Sequence, residues 1–393
     1  MIHRDCAEAV EWGEKAIALA EQFQDTETLA RAYNFAGSAM LIMDYERGLA
    51  FMERSLAIGR QANLRWAFPA TLNNLGWTLA EIYRFSEADH YLTEGIPYAA
   101  ENDDDYHLLQ MLVWRASVHL YQGRWVEALE TASKVLQSQY LDIESRTCAL
   151  LVLARTRARL GDPDALTALE EALALSIQAA ALPRLGPAQS TYTEMAWLSG
   201  DNNLDTTEVR AIYDVAVSKE HPWIAGELAF WLWRSGEDII HPVWIATPFA
   251  LQIAGDWRGA AKEWEERGCP YEQGMALMDG EESAQRKALE IFEGLGARPI
   301  IEKLRRQMRA QGVRLPRGPR PATRENRFGL TSREMEVLAC LVNGQSNNVI
   351  AEQLSLSTRT VEHHISSILP KMQVQSRNEA VALALKDNLF PSD

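Results

Sequence analysis

Three consecutive residues near the carboxy terminus, Glu362, His363 and His364, carry side chains that could do chemistry. A carboxylate and two imidazoles can bind a metal ion, act in acid–base catalysis, or exchange hydrogen bonds with base edges in a DNA groove. If the stretch is helical, successive side chains point about 100° apart and cannot converge on one ion. The i, i+4 pair of histidines found in HExxH is also missing. We therefore expect no metal site in this stretch.

Catalytic patterns are missing from the rest of the sequence too. Nucleophilic catalysis needs a base and an orienting group beside the nucleophile, and the sequence contains no recognisable set of this kind and no paired carboxylates. No GxxxxGK(S/T) motif occurs, and the dipeptide Gly-Lys is absent, which excludes a P-loop. The sequence predicts no enzyme, no catalytic residue and no cofactor.

The elements that must position Glu362 and its neighbours are marked by helix-capping signals. Capping boxes stand at Thr331–Glu334 and Ser376–Glu379, and Ser346 and Ser357 can cap two helices between them. These signals predict four short helices. The middle two form a helix-turn-helix in the segment SNNVIAEQLSLSTRTVEHHISSIL.

The third of these helices has an apolar and a polar face. The core-facing side carries four apolar residues, Val361, Ile365, Ile368 and Leu369. The opposite side carries short or charged polar residues, namely Arg359, His363 and Ser366, flanked by Glu362 and Ser367. Such a polar face can enter a major groove about 12 Å wide. There, Glu362 could accept a hydrogen bond from a cytosine amino group, or it could simply be an acidic residue favoured by the helix dipole.

This segment resembles the LuxR-type DNA-binding domain. The stretch GLTSREMEVLACLVNGQSNNVIAEQLSLSTRTVEHHISSILPKMQVQSRNEAVALA matches the pattern LTxRExEVL, a glycine and SNxxIAxxL, SxxTVxxHxxxI, and a KMxVxxRxEA ending. The matching residues are Leu330, Thr331, Arg333, Glu334, Gly344, Ser346, Asn347, Ile350, Ala351, Leu354, Ser357, Thr360, Val361, His364, Ile368, Lys371, Val374, Arg377 and Glu379. The resemblance covers about one sixth of the chain and is highly specific.

The resemblance implies a four-helix domain whose third helix, about 358–369, reads DNA as part of a homodimer. It implies base contacts from Glu362, His363 and Ser366. The complete predicted DNA-binding set is Thr358, Arg359, Thr360, Glu362, His363, Ser366, Ser367 and Lys371, and the predicted dimer surface is Val381 and Leu385. Two residues depart from the family pattern. Many relatives have lysine at position 362, and Pro370 should end or bend the helix and re-aim Lys371.

Residues 1–302 show helical periodicity with a repeat of 40 residues. A second helix of each repeat should begin after a polar break, at Tyr45, Phe85, Trp125 and Ala165. Mostly small residues recur mid-helix, where two helices must approach closely, at Gly48, Ala88, Ala128 and Ala168 and at Ala36, Gly76, Ala116 and Thr156. The pattern resembles tetratricopeptide (TPR) repeats with longer helices. The expected fold is therefore all-α, with a TPR-like superhelix followed by the four-helix domain.

The repeat becomes irregular beyond Leu182. Prolines interrupt its register there, at Pro183, Pro187, Pro222, Pro242 and Pro248. Helices should persist but be less regular. Residues 248–320 also resemble the carboxy-terminal part of large LuxR-type regulators of the LAL type, in which an ATPase domain precedes the repeats. The chain begins inside a repeat-like helix, which fits either a natural form without the ATPase or a start placed too far downstream.

Charge is distributed unevenly along the chain. The net charge is −15, of which residues 1–302 contribute −21, residues 303–327 contribute +8 and residues 328–393 contribute −2. The stretch QGVRLPRGPRPATRENRF is too rich in proline and glycine for a helix or strand interior. We predict a partner-binding domain at 1–310, a basic linker at 311–327 and the DNA-binding domain at 328–393. The linker arginines could follow a phosphate backbone or merely be solvated.

Cysteine use and hydropathy point to the cytoplasm. The four cysteines, Cys6, Cys148, Cys269 and Cys340, are isolated in the sequence and should be free thiols. No secretory signal and no apolar stretch of about 18 residues is present, so no membrane partner is expected.

Two functions follow from these patterns. The favoured one is a sequence-specific transcription regulator that binds double-stranded DNA, controlled by a protein, peptide or small-molecule effector on the helical arm. The alternative is a TPR-like interaction scaffold whose DNA binding is weak or lost. Its support is the acid at position 362 and the net charge of −2 over residues 328–393.

Overall fold

The computed structural model describes residues 5–200, 205–313, 328–372, 374, 376–387 and 389. Over these residues the regular structure consists of α-helices, with no strand, which confirms the expected all-α class. The chain divides into two units, Met1–Val313 and Arg314–Asp393. From position 314 onward, the basic linker predicted at 311–327 lies outside the described residues. No helix in the described parts of the chain is long and apolar enough to cross a membrane.

The first nine helices form successive helical hairpins. They are α1 (Cys6–Phe23), α2 (Thr26–Met43), α3 (Tyr45–Gln61), α4 (Ala67–Glu81), α5 (Phe85–Glu101), α6 (Asp105–Tyr121), α7 (Trp125–Leu136), α8 (Ile143–Leu160) and α9 (Ala165–Ala179). Each packs against the next in the chain, and even-numbered helices from α2 to α8 also pack against one another. The connections are short, so neighbouring helices run antiparallel.

The predicted repeat of 40 residues is confirmed at its helix starts. Helices α3, α5, α7 and α9 begin at Tyr45, Phe85, Trp125 and Ala165. The Asp44 side chain caps α3 by accepting a hydrogen bond from the backbone N–H of Arg47 at 3.2 Å.

The small residues of the repeat lie where helices meet. All eight predicted positions are buried. At Gly48 a Cβ atom would overlap the backbone of Leu41, and at Gly76 it would overlap the side chain of Leu92. The absence of a side chain therefore permits close approach of helices α2 and α3 and of α4 and α5.

The second part of the first unit is still helical but less regular, as predicted, with helices of 7 to 18 residues. They are α10 (Leu182–Ser199), α11 (Thr207–Ser218), α12 (Pro222–Arg234), α13 (Thr247–Ile253), α14 (Trp257–Glu266), α15 (Pro270–Leu277), α16 (Glu282–Leu295) and α17 (Arg298–Ala310). Pro183, Pro222 and Pro248 stand in the first turn of a helix, where a missing N–H costs little. Pro187, another of the prolines predicted to interrupt the repeat register, lies inside α10.

The part of the second unit that the structure describes contains four helices with a core of their own. They are α18 (Ser332–Val342), α19 (Asn347–Gln353), α20 (Thr358–Lys371) and α21 (Arg377–Lys386). Their number, order and approximate bounds are those predicted from the capping signals. The core is built from all four helices and includes fully buried side chains from α18, α19 and α20, namely Val337, Leu338, Ile350, Val361 and Ile368.

Candidate nucleic-acid interface

The helix starts of the second unit are fixed by side-chain caps. Thr331 and Glu334 form a complete capping box, in which the Glu334 carboxylate accepts a hydrogen bond from the backbone N–H of Thr331 at 2.7 Å. Ser357 and Ser376 each accept a hydrogen bond from the backbone N–H three residues later. Ser346 occupies the cap position of α19, but its side chain makes no capping hydrogen bond. Three of the four predicted caps are thus confirmed as hydrogen bonds.

The turn of the helix-turn-helix has an unusual backbone conformation. Ser355 follows α19 with a φ of 53°, in the left-handed region that residues with a Cβ atom rarely adopt. The Arg333 guanidinium donates a hydrogen bond to the carbonyl of Leu354 beside it. Arg377 similarly donates to the carbonyl of Gln345 at 2.9 Å. Arginines from α18 and α21 therefore hold both ends of α19 in place.

The predicted two faces of α20 are confirmed. Val361 and Ile368 are completely buried, and Ile365 and Leu369 pack against the same core. The opposite side exposes four polar side chains, Arg359, Glu362, His363 and Ser366. Because the apolar face is held by the core, these polar side chains are directed to the surface on a rigid element.

Three further predicted residues lie at the borders of the exposed face. Thr358, Thr360 and Ser367 are partly buried. The Thr358 hydroxyl donates a hydrogen bond to Oδ1 of Asn348 at 3.3 Å, which joins the start of α20 to α19. The hydroxyls of Thr360 and Ser357 lie 2.7 Å apart. These threonines thus have a local structural role besides any contact to a partner.

Lys371 is held in an ion pair that the sequence did not suggest. Its Nζ atom lies 2.6 Å and 2.8 Å from the two carboxylate oxygens of Glu334. Burial opposes ionisation of Glu334, but hydrogen bonds from Lys371 and Thr331 outweigh it, so the pKa of Glu334 lies below its usual value. Pro370 was predicted to end or bend α20, and the helix ends one residue after it, at Lys371. Lys371 is aimed at α18.

The electrostatics of the exposed face are nearly neutral. Arg359 and Glu362 contribute opposite charges, and His363 and Ser366 contribute hydrogen-bonding groups without a fixed charge. A face of this kind is suited to hydrogen bonds with base edges more than to unspecific attraction of phosphate. Among the described residues, no group of three His, Cys, Asp or Glu side chains could hold a metal ion.

The two residues of the predicted dimer surface have different environments. Leu385 is 60% exposed on α21. Val381 is partly buried and packs against the core of the four helices. Leu385 is therefore available to a partner, whereas Val381 mainly supports the helix that presents it.

Comparison with known proteins agrees with this geometry. Residues 329–384 match the family model described as bacterial regulatory proteins, luxR family. They form a LuxR-type helix-turn-helix domain. The match ends two residues before the end of α21 and includes nearly the whole four-helix core.

Two curated relatives illustrate the similarity. The transcriptional regulatory protein FixJ of Azorhizobium caulinodans is 45% identical over 65 residues, which are 16% of this chain and 31% of FixJ. The response regulator protein VraR of Staphylococcus aureus is 34% identical over 106 residues, which are 25% of this chain and 51% of VraR. The chain thus spans about a third to a half of the length of these relatives.

The LuxR-type domain contains contacts that could not be found by sequence spacing. Glu334 and Lys371 are 37 positions apart, and the sequence had already given each a separate role, Glu334 as a helix cap and Lys371 as a DNA contact. Asn348, which supports Thr358, stood in the matched motif region without a predicted role. Only the packing of α18, α19 and α20 brings these pairs together.

Proposed function

We propose that this protein is a sequence-specific transcription regulator whose LuxR-type domain inserts α20 into the major groove of double-stranded DNA. The observation that carries the proposal is the orientation of α20, whose apolar side is buried while Arg359, Glu362, His363 and Ser366 are exposed together. A helix presented in this way reads base edges through short polar side chains.

Different residues of α20 have different roles in this proposal. Glu362, His363 and Ser366 contact bases, with Glu362 accepting from a cytosine amino group. Arg359, Thr358, Thr360 and Ser367 lie toward the phosphates and set the position of the helix. Lys371 acts through Glu334, as a positioning residue, because its ammonium group is already paired.

The protein binds DNA as a homodimer in this proposal, through α21. Support comes from the exposed Leu385 side chain, an apolar group beside the partly buried Val381. We expect Leu385→Glu to convert binding of a two-half-site duplex into weak binding of one half-site. Lys386→Gln on the same helix, which also changes the net charge by −1, serves as the charge-matched control. Sedimentation of the protein–DNA complex distinguishes one bound chain from two. Unchanged stoichiometry with Leu385→Glu would argue against this surface.

The helical arm, residues 1–310, controls DNA binding in response to an effector or partner. Its support is the confirmed helical array together with the charge distribution, −21 over residues 1–302 and +8 over residues 303–327. An acidic arm can attract the basic linker and compete with DNA for it. Binding of an effector to the arm would then change the availability of the linker.

Selection from a random duplex library tests the proposal. Full-length protein and a fragment of residues 325–393, both checked for helical content, select DNA at one salt concentration, and the recovered duplexes are sequenced. A palindromic motif supports a dimeric, sequence-specific reader, and tighter binding by the fragment supports restraint by the arm. If neither folded protein enriches a motif, the interaction scaffold becomes the better explanation.

A further inference from the structure

A small cavity lies inside the helical arm, among α4, α6, α8, α10 and α12. Its volume is about 100 Å³, and its lining is mainly apolar, with Trp77, Trp114 and Leu151 on its walls. The indole rings of Trp77 and Trp114 are stacked at 5.6 Å with an interplanar angle of 8°. Two arginines, Arg155 and Arg184, also face the cavity. Cations beside an apolar cavity require neutralising partners.

Arg155 has such partners within the arm. Its guanidinium forms an ion pair with Glu227 at 2.9 Å and donates hydrogen bonds to the hydroxyls of Thr191 and Tyr121. The second acid that faces the cavity, Glu81, has an oxygen atom 3.0 Å from Nε2 of His221. The cavity therefore has one arginine whose charge is matched.

The guanidinium of Arg184 has fewer partners than that of Arg155. Its side chain is 3% exposed, its closest carboxylate oxygen belongs to Glu144 at 3.4 Å, and its Nε atom has no hydrogen-bond partner among the described residues. A buried guanidinium N–H without a partner is costly, so a ligand that supplies an acceptor beside Arg184 would stabilise this arrangement.

The position of Arg184 follows from a proline in α10. Pro187 has no N–H, so it cannot donate the helical hydrogen bond to the carbonyl of Pro183. Arg184 donates to this carbonyl at 3.2 Å instead. The contact fixes the guanidinium 5.3 Å from the ring centres of both Trp77 and Trp114. The backbone hydrogen bond that Pro187 cannot make and the position of the Arg184 guanidinium at the cavity wall are thus connected.

A second cavity of the arm is also lined by Arg184. It has a volume of about 480 Å³ and shares Trp77, Trp114 and Arg184 with the first. Its other walls are mainly polar and include Asn73 and Glu144. Arg184 therefore lies in the wall that the two cavities share, and the side chain of its partner Glu144 is 28% exposed.

We infer that this pair of cavities binds a small apolar or aromatic monocarboxylic acid. The carboxylate accepts hydrogen bonds from Arg184, and the hydrocarbon part occupies the inner cavity against Trp114 and Leu151. The ligand is small, because the inner cavity lies below the about 300–1,000 Å³ typical of drug-sized ligands. This inference names an effector class for the arm; its regulatory meaning rests on the proposed function, but binding itself does not require DNA.

Matched acids and amides test the inference on the full-length protein without DNA. Benzoate, phenylacetate and hexanoate are compared with benzamide, phenylacetamide and hexanamide by tryptophan fluorescence and calorimetry. At least one acid should bind at about one molecule per chain and about tenfold or more tighter than its amide, because only the acid supplies a charge-assisted acceptor. No acid binding up to millimolar concentration, or equal affinity of acid and amide, would overturn the inference.

Substitutions locate the site. Arg184→Gln should remove the preference for the acid, whereas Arg258→Gln, at a surface ion pair with Glu281, should leave it unchanged. Glu144→Gln removes a carboxylate that competes with the ligand for Arg184, so this variant should bind the acid several-fold more tightly. This second variant still tests the site if Arg184→Gln does not fold. Equal acid affinity in wild type and Glu144→Gln would contradict the assigned site. Library selection with the same proteins separates loss of ligand binding from loss of DNA binding.

Discussion

The Nζ atom of Lys371 lies 2.6 Å from Oε2 of Glu334, so the last residue of the exposed helix α20 is joined to the first turn of α18. The same carboxylate also accepts the hydrogen bond that caps α18. One acidic side chain thus links the start of the LuxR-type domain to the end of the helix proposed to read DNA. The side chain of Glu334 is 6% exposed and that of Lys371 is 36% exposed. Solvent therefore screens the charge of Lys371 more than the charge of Glu334.

Lys371→Met should lower the stability of the LuxR-type domain by about 1 kcal/mol, because Glu334 loses a charged partner and remains nearly buried. DNA affinity should fall for all sequences alike, because the end of α20 is no longer fixed. Denaturant unfolding and binding to matched and mismatched duplexes measure the two effects. Lys386→Met, at an exposed position in α21, is the control. Equal stability of the two variants would contradict the structural role of Lys371.

The Glu334 carboxylate should make the domain less stable in acid. Its folded-state pKa is lowered by Lys371 and Thr331 despite burial, so its contribution is complete above the unfolded-state pKa, near 4.3, and is lost as pH falls through the lower folded-state pKa. Unfolding free energies of wild type and Glu334→Gln, measured from neutral pH to about pH 3, should converge at the acidic end. A difference that stays constant over this range would disprove the linkage.

Glu362→Ala and Arg359→Ala should affect DNA binding in different ways. Loss of Glu362 should relax preference at one base pair, with a change in discrimination of about 1–3 kcal/mol. Loss of Arg359 should weaken binding to all sequences and reduce the salt slope by about 1, because one phosphate contact disappears. Binding to matched and mismatched duplexes at several salt concentrations separates these outcomes. Identical behaviour of the two variants would refute the proposed division of roles.

Two glycine substitutions should have opposite effects on the arm. Gly48→Ala should destabilise it by about 1–3 kcal/mol, because the new Cβ atom overlaps the Leu41 backbone where α2 and α3 meet. Gly294→Ala, in helix α16 with no atom within 4 Å of the added Cβ, should stabilise it by about 0.5–1 kcal/mol. Thermal unfolding of the two variants beside wild type provides the comparison. Similar melting temperatures for both variants would contradict the close approach at Gly48.

The sequence was sufficient to predict those parts of the structure that depend on local signals. Thr331 and Ser357 mark helix starts by their own hydrogen bonds, and the 40-residue spacing of Tyr45 and Phe85 marks hairpins, so both could be predicted from spacing alone. The face of α20 followed from the same helical periodicity.

Relationships over longer distances could not be predicted in this way. The pairing of Lys371 with Glu334 depends on how α18 packs against α20, and no spacing rule covers 37 residues. Pro187 lies inside α10, and the donor to the otherwise unpaired Pro183 carbonyl is a side chain whose direction the sequence does not specify. The cavity beside Arg184 requires five helices from different parts of the chain.

The regular helix starts at Tyr45, Phe85, Trp125 and Ala165 also constrain how this chain can change during evolution. A duplication or deletion of one full repeat joins a helix start to an equivalent helix start, and each new interface again meets a small residue at the position of Gly48 or Ala88. A change of another length would move the helix starts and the small residues out of this register. We therefore expect homologous arms to differ in length by multiples of about 40 residues. Only the gain or loss of whole repeats preserves the packing of neighbouring helices.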